Sequence, residues 1–311
     1  MGSQYYQVGA NRVNWFVIIQ TLLSSLMWVS VLSLSTFGIM IIFKTSTTTN
    51  FAQGMISSFG AFLAATLSYD SGVPLVLSIL IGVVASFLLG IFIDSVIIRN
   101  AKHITPVGKQ MITMGLALLL IGLLPLTLQR TQPSLRTLVD GNVTFELGAH
   151  TYSITIHSLI TFGIALSTIV GLFIALKYTK WGLAVRATAN NEQVASMMGV
   201  NTKLITAFSW AIAGGLGALA ATLYGPTVGM SSVLYMTPIQ VQGFMAAILG
   251  GFTTFHGPIV GSVILVFGGN LLGLGGEQMA LYKELLVYVL ILAVILVKPL
   301  GLFGKKVIKK V

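Results

Sequence analysis

The sequence has no cysteine and very few charged residues. Only 8% of its 311 residues are charged, whereas 55% are hydrophobic; a soluble globular domain usually has about 25% charged residues. The absence of cysteine excludes disulfides, thiol nucleophiles and cysteine-ligated zinc or iron–sulfur clusters. We therefore expect an integral membrane protein with one membrane domain over residues 1–311, whose fold depends on packing alone.

Ionisable residues are also missing from the middle of the apolar runs. Lys44, Asp94, Glu277 and Glu284 all fall near predicted ends, whereas ion-driven carriers usually place a carboxylate or histidine at mid-membrane. The histidines have no metal-ligand spacing, and no G-x-x-x-x-G-K-[ST] loop occurs. We expect no cofactor or metal bound by this chain. A membrane-embedded enzyme would need clustered acid, base or metal ligands, and the sequence contains no such cluster.

Long, continuously apolar runs predict membrane-spanning helices rather than barrel strands, because the period-two alternation of barrels is absent. The first run, Trp15 to Phe43, exceeds the roughly 20 residues of one untilted crossing, so we expect it to be tilted, or broken near Ser33 to Gly38. Two later runs, Ile239 to Leu249 and Ile259 to Leu272, are short and are separated by the turn GGFTTFHGP. The predicted fold is an all-α polytopic membrane protein with about eight transmembrane or partly re-entrant helices.

The polar stretch KTSTTTNFAQG, Lys44 to Gly54, separates the long first run from a short one. Irregular backbone at membrane depth is tolerated only beside protein or water. The stretch therefore predicts either an interrupted helix that lines a cavity or a plain cytoplasmic loop.

A second polar segment covers residues 129–157. Asp140-Gly141-Asn142 is a turn signal, and Tyr152, Ile154 and Ile156 alternate with polar residues. We predict a small hairpin outside the bilayer, within an extracytoplasmic loop.

The longest polar interruption on the more basic side is WGLAVRATANNEQVASMMGVN, Trp181 to Asn201, within a loop over residues 178–203. It predicts a short helix outside the membrane, with Asn190 as N-cap, Gln193 as its capping-box partner, Glu192 in the first turn and Gly199 at the end. Such a helix is either an ordinary interfacial helix or a docking surface.

Basic residues are distributed unequally between the two sides. If the KKVIKK tail and the Trp181 to Asn201 loop share a side, that side carries all of the 17 basic residues except Arg12, Arg130, Arg136 and Lys283. The positive-inside rule makes that side, and the C-terminus, cytoplasmic. The net charge of +10 is then explained by topology and by attraction to anionic lipid. A nucleic-acid role has no other support.

The sequence GLGALA, Gly215 to Ala220, formally fits a dinucleotide-binding fingerprint. It lies inside an apolar helix without a preceding strand, so it does not predict a cofactor site. Small residues four apart, such as Gly214 and Ala218, instead predict close helix packing.

Four motifs in order resemble one known family. They are NFAQG at Asn50 to Gly54, GLAVRATANNEQVASMMGVN at Gly182 to Asn201, AAILGGFTTFHGPIVGSVI at Ala246 to Ile264 and KPLGLFG at Lys298 to Gly304. Together they resemble permeases of the branched-chain amino-acid ABC importers. The resemblance implies a bacterial cytoplasmic membrane protein that works with a second permease, two cytoplasmic ABC ATPases that use ATP and Mg, and an extracytoplasmic solute-binding protein.

The resemblance also assigns a coupling helix that sits in a cleft of the ATPase. It implies coupling roles for eight residues of the 178–203 loop: Arg186, Ala187, Asn190, Asn191, Glu192, Ala195, Met198 and Gly199. A short rigid helix would let closure of the ATPases move the neighbouring helices as rigid bodies.

For the substrate pathway we favour Thr47, Thr48, Asn50 and Gln53, since neutral hydrogen-bonding groups can pass an amino acid without trapping it. The alternative is that they cap a helix end. The family commonly has His at the position of Gln53 and a polar or acidic residue at that of Met55, which leaves the solute open. Alternative functions are import of urea, short amides or nucleosides by the same architecture, and ion-coupled secondary transport.

Overall fold

The computed structural model describes residues 15–101, 104–128 and 135–304. The predictions that involve Arg12, Lys102, Arg130 and the KKVIKK tail lie outside the described residues. So does the first part of the 129–157 loop.

Helices dominate the described chain, with one two-stranded sheet. Their bounds are α1 Trp15–Ser46, α2 Gln53–Tyr69, α3 Leu75–Phe92 continuing as a π-helix over Ile93–Ile98, α4 Pro106–Leu128, β1 Asn142–Leu147, β2 His150–Thr155, α5 Ile156–Tyr178, α6 Lys180–Asn190, α7 Glu192–Met197, α8 Thr202–Val228, a 3-10 turn Val233–Met236, α9 Thr237–Gly250, α10 Gly257–Leu272, a 3-10 turn Gly273–Gly275, α11 Glu277–Leu281 and α12 Lys283–Val297. The predicted all-α class is confirmed.

Seven helical segments in the described part of the chain are long and apolar enough to cross a membrane. They are α1, α3 with its π-helix, α4, α5, α8, α9 with the preceding 3-10 turn, and α10 with the following one. Two further helices, α2 and α12, are apolar but only 17 and 15 residues long. The expected shortness of the segment after the first polar stretch is therefore confirmed.

The long helix α1 is continuous and lies at the centre of the bundle. Its 32 residues span about 48 Å at 1.5 Å per residue, more than the hydrocarbon thickness of about 30 Å. The expected break near Ser33 to Gly38 does not occur. Those residues are buried, because α1 packs against α5, α8, α9 and α10, and this packing holds a helix longer than the membrane requires.

Small residues allow α2, α3 and α8 to approach closely. A Cβ on Gly82 would overlap the carbonyl oxygen of Gly60, and one on Gly214 would overlap that of Ser86. Gly214, Gly217 and Ala218 of the GLGALA region are all buried. The packing interpretation of that motif is therefore confirmed.

The β1–β2 hairpin and the polar loop that contains α6 and α7 lie at opposite ends of the bundle. Gln20, near the start of α1, exchanges two hydrogen bonds with the backbone of Ser153 in β2, at 2.7 and 3.1 Å. Helix α5 starts directly after β2 and ends directly before α6. The far end of α1 meets the turn from Gly250 to Pro258, which we call the Gly250 turn. Lys44 Nζ donates a hydrogen bond to the Thr253 carbonyl oxygen there.

The Gly250 turn is tight, as predicted. Gly251 has φ +94°, a Cβ on Gly250 would overlap the Gly257 carbonyl, and Leu302 N–H donates to Leu249 O at 2.8 Å. The KPLGLFG segment thus packs directly against this turn.

The predicted hairpin is confirmed. Strands β1 and β2 pair antiparallel from Asn142 opposite Thr155 to Leu147 opposite His150. All of β1 is exposed, whereas Tyr152 and Ile154 of β2 are buried. Strand β2 is thereby held on the bundle, while strand β1 stays exposed.

Candidate functional site

Helix α6 is fixed firmly to the end of α5. Thr179 ends α5 and begins α6, and its Oγ1 accepts a hydrogen bond from Gly182 N at 3.0 Å. The guanidinium of Arg186 donates to the carbonyl oxygen of Leu176, one of the last carbonyls of α5. Val185 is fully buried. A cation on the unpaired carbonyls at a helix end is favourable, so α5 and α6 form one stiff corner.

A separate short helix, α7, follows after one extended residue. Asn191 has φ −159° and ψ 109°, and its Oδ1 accepts from Val194 N at 3.0 Å. The N-cap is therefore Asn191, and the prediction of Asn190 was wrong. Asn190 is the last residue of α6. The predicted short helix is α7, and α6, which has its own N-cap at Thr179, is a second helix that was not predicted.

The end of α7 is a glycine-terminated turn, as predicted. Gly199 has φ +86°, its N–H donates to Ser196 O, and Val200 N–H donates to Ala195 O, both at 3.0 Å. This pair of bonds satisfies the last carbonyls of the helix. The chain then enters α8, whose first turn is capped by the Asn201 side chain at 3.2 Å from Leu204 N.

The two short helices expose large apolar side chains. Leu183, Val194, Met197 and Met198 are 62%, 52%, 85% and 80% exposed, and we call this group the α6–α7 surface. Methionine is an adaptable contact residue at protein interfaces. The surface thus combines a rigid base with conformable side chains.

The break between α1 and α2 is held by buried amide side chains. Gln53 Nε2 donates to Ala213 O in α8 at 2.8 Å, and Asn50 Nδ2 donates to Gln53 Oε1 at 3.1 Å. Gln240 of α9 accepts from Gly54 N at 2.6 Å and donates to Phe51 O at 2.8 Å. The two bonds of Gln240 satisfy backbone groups at the break that have no helical partner, which is the condition for irregular backbone at membrane depth.

The burial of this network bears on the two interpretations of the Lys44 to Gly54 stretch, an interrupted helix that lines a cavity and a plain cytoplasmic loop. Thr48, Asn50 and Gln53 have no exposed surface. Thr47 is exposed and has φ +50°. The stretch is a break between two helices that is packed inside the bundle rather than an exposed loop. Its place beside a cavity or pathway stays a prediction.

Comparison with known proteins identifies the family. The family described as the permease component of branched-chain amino-acid transport systems matches residues 21–295. The chain belongs to this permease family.

Curated relatives of the permease match over most of their length. This chain is 26% identical to the high-affinity branched-chain amino acid transport system permease protein BraD of Pseudomonas aeruginosa, over 94% of this chain and 98% of that one. It is 26% identical to LivH of Escherichia coli over 84% and 87%, and 25% identical to the probable LivH of Methanocaldococcus jannaschii over 90% of each. A solved structure, PsaBC from Streptococcus pneumoniae in complex with Fab, is 14% identical over 90% and 91%, with a TM-score of 0.46, too low to support an argument.

The eight predicted coupling residues of the permease differ in exposure and in contacts. Arg186 is bonded to α5 and Ala195 is buried, so both hold the short helices in place. Ala187 lies on α6 and is partly buried. Arg186 is itself exposed, as are Asn190, Asn191, Glu192, Met198 and Gly199. Their coupling role stays a prediction.

An ion pair beside the start of α8 was missed by sequence reasoning. Arg99 donates to Asp94 Oδ2 at 3.1 Å and to Lys203 O at 2.8 Å, and Thr206 Oγ1 lies 3.4 Å from the same carboxylate oxygen. The π-helix brings residues five apart together, with Arg99 N–H donating to Asp94 O at 2.9 Å. An α-helical pattern looks for pairs three or four apart, so this spacing carried no signal.

Proposed function

We propose that this permease forms half of the transmembrane pathway of a binding-protein-dependent importer for branched-chain or related amino acids. A second permease, identical or homologous, supplies the other half. Two cytoplasmic ATPases hydrolyse ATP with Mg, and an extracytoplasmic binding protein delivers the solute. The family match over residues 21–295 and the names of the relatives support this assignment.

In this proposal the α6–α7 surface docks on the ATPase. The observation that carries it is an exposed apolar surface on helices fixed directly to α5 and leading directly into α8. Large exposed apolar patches mark interaction sites. Because α8 is mostly buried against α1, α2 and α3, a push on α7 would move packed helices as a unit.

The proposed orientation places the α6–α7 surface and the C-terminus in the cytoplasm. The hairpin, at the opposite end of the bundle, would then face the binding protein in the extracytoplasmic space. The excess of lysine and arginine on the α6–α7 side supports this orientation.

For the pathway, we propose that the α1–α2 break borders the route of the solute. Thr47 would reach that route, since its side chain is exposed. Thr48, Asn50 and Gln53 would shape the break from behind, since they are buried and bonded to neighbouring groups.

A single cysteine tests the docking surface, since the natural chain has none. We expect Asn191→Cys to crosslink efficiently to a co-expressed ATPase subunit, with a yield that changes when nucleotide is added. Glu146→Cys, exposed on β1 at the other end of the bundle, is the matched control and should not crosslink. Equal yields at both positions, or no ATPase contact at Asn191, would defeat the coupling assignment.

A further inference from the structure

A cavity of about 580 Å³ opens at the hairpin end of the bundle. It lies between α1, α9, α10 and α12, and its lining begins at Thr21, directly after Gln20, the residue that is bonded to β2. Its volume falls in the range of about 300–1,000 Å³ typical of small-molecule sites.

Two opposite charges line the cavity side by side. Lys283 and Glu284 begin α12, and both belong to the lining. Within the described part of the chain neither has an ion-pair partner within 4.0 Å, the only such pair there being Arg99 with Asp94. Ionisable residues in membrane proteins usually face a cavity and mark ligand paths. The cavity therefore offers one unpaired cation and one unpaired anion to a ligand.

Amides and a hydroxyl extend the polar side of the cavity. Asn270 Nδ2 donates to Ser25 Oγ at 2.7 Å, and Gln242 Oε1 accepts from Trp28 Nε1 at 3.2 Å. These bonds fix the orientation of both amides and leave Asn270 Oδ1 and Gln242 Nε2 available, since neither atom takes part in a hydrogen bond among the described residues. One acceptor and one donor thus accompany the two charges.

Another part of the wall is apolar. It contains Trp28, Leu265, Val266, Leu274 and Val287. Trp28 is held edge-on against Tyr224, with ring centroids 5.1 Å apart. A branched aliphatic side chain would bury its surface here, at about 25 cal/mol per Å² of apolar area.

We infer that this cavity is a binding site for a zwitterionic amino acid inside the permease itself, separate from the binding protein. Lys283 receives the α-carboxylate, Glu284 receives the α-ammonium group, and the wall of Trp28, Leu265 and Val266 receives an aliphatic side chain. The inference rests on the proposed function. It adds a site where the solute binds within the permease, on the side where the binding protein would deliver it. Neutral amides or urea would leave both charges unmatched, so the site selects against them.

Equilibrium binding of radiolabelled L-leucine to the full-length permease in lipid nanodiscs tests the site. We expect Lys283→Met and Glu284→Gln each to raise the Kd by about tenfold to a hundredfold, the effect of one charge-assisted hydrogen bond. Lys283→Arg and Glu284→Asp keep the charges and should retain binding. Glu277→Gln removes an exposed carboxylate from α11, outside the cavity lining, and should leave the Kd unchanged.

Ligands with one charge give a second readout that misfolding cannot imitate. 3-Methylbutylamine lacks the carboxylate, and 4-methylpentanoate lacks the ammonium group. Lys283→Met should weaken leucine binding without weakening the amine, and Glu284→Gln should weaken leucine without weakening the acid. A loss of all three ligands together in both variants would contradict the assignment.

The outcomes separate the inference from the proposed function. Unchanged leucine affinity in both charge-removing variants would overturn the inference. So would a wild-type permease that binds no leucine in nanodiscs while the complete transporter imports it, and in that case the proposed function would stand. A complete transporter that imports no amino acid would overturn both.

Discussion

Asn191 and Gln240 perform the same task at two positions in the molecule. Each provides a side-chain oxygen to a backbone N–H at the start of a helix, Val194 N for Asn191 and Gly54 N for Gln240. At the surface, water can replace such a bond, whereas inside the bundle an unpaired group costs about 1–3 kcal/mol. The same kind of hydrogen bond therefore stabilises the short helix α7 at Asn191 and holds the α1–α2 break together at Gln240.

The corrected cap gives a prediction at the residue scale. Asn191→Ala should speed amide hydrogen exchange across residues 192–198 about fivefold, since an N-cap contributes about 1 kcal/mol. Asn190→Ala should leave exchange in that segment unchanged, because Asn190 ends α6 and does not cap α7. Hydrogen–deuterium exchange measured by mass spectrometry distinguishes the two. Faster exchange in the Asn190 variant alone would contradict the assigned cap.

Local signals predicted some site residues and missed others for physical reasons. The role of Gly199 at the end of α7 was predictable, because its φ of +86° is set by the local turn and not by distant packing. The choice between Asn190 and Asn191 was not, because adjacent asparagines have equal capping ability and packing of Val185 and Thr188 sets where α6 ends. The partner of Gly54 lies 186 residues away in Gln240, and no local pattern predicts such a contact.

Helix packing through glycine is the main feature at the scale of elements. Continuous apolar runs predicted α9 and α10 within a few residues of their observed bounds. They did not predict the continuity of α1, since its buried serines resemble an interruption when the neighbouring helices are unknown. Burial from all sides keeps that helix intact.

Two glycine substitutions test the packing of α2 against α3. Gly82→Ala should lower thermal stability in detergent and separate these helices, since the added Cβ would overlap Gly60 O. Gly171→Ala, on α5, meets no atom within 4 Å and should be neutral or stabilising by up to about 1 kcal/mol. The midpoint of thermal unfolding provides the comparison. Equal shifts for both variants would contradict the close approach.

At the scale of the whole molecule, the two ends of the bundle have different chemistry. One end carries the α6–α7 surface and the Gly250 turn. The other carries the hairpin and the cavity with its two unpaired charges. The described part of the bundle between them contains buried amides such as Gln53 and Gln240, and its Asp94 carboxylate is paired with Arg99 next to the start of α8.

The overall class of the molecule followed from composition, whereas the position of the cavity did not. Lys283 and Glu284 are predictable only as residues near a helix end. Their position beside Trp28 and Asn270 depends on how α1, α10 and α12 meet in space.

Uptake by the reconstituted transporter tests the central claim most directly. The permease, its second permease, both ATPases and the binding protein are placed in proteoliposomes, and L-leucine accumulation is measured with ATP and Mg on the ATPase side, without any ion gradient. The account predicts accumulation against the leucine gradient that stops when the ATPases are omitted. Accumulation by the permease alone, driven by a proton or sodium gradient, would contradict it.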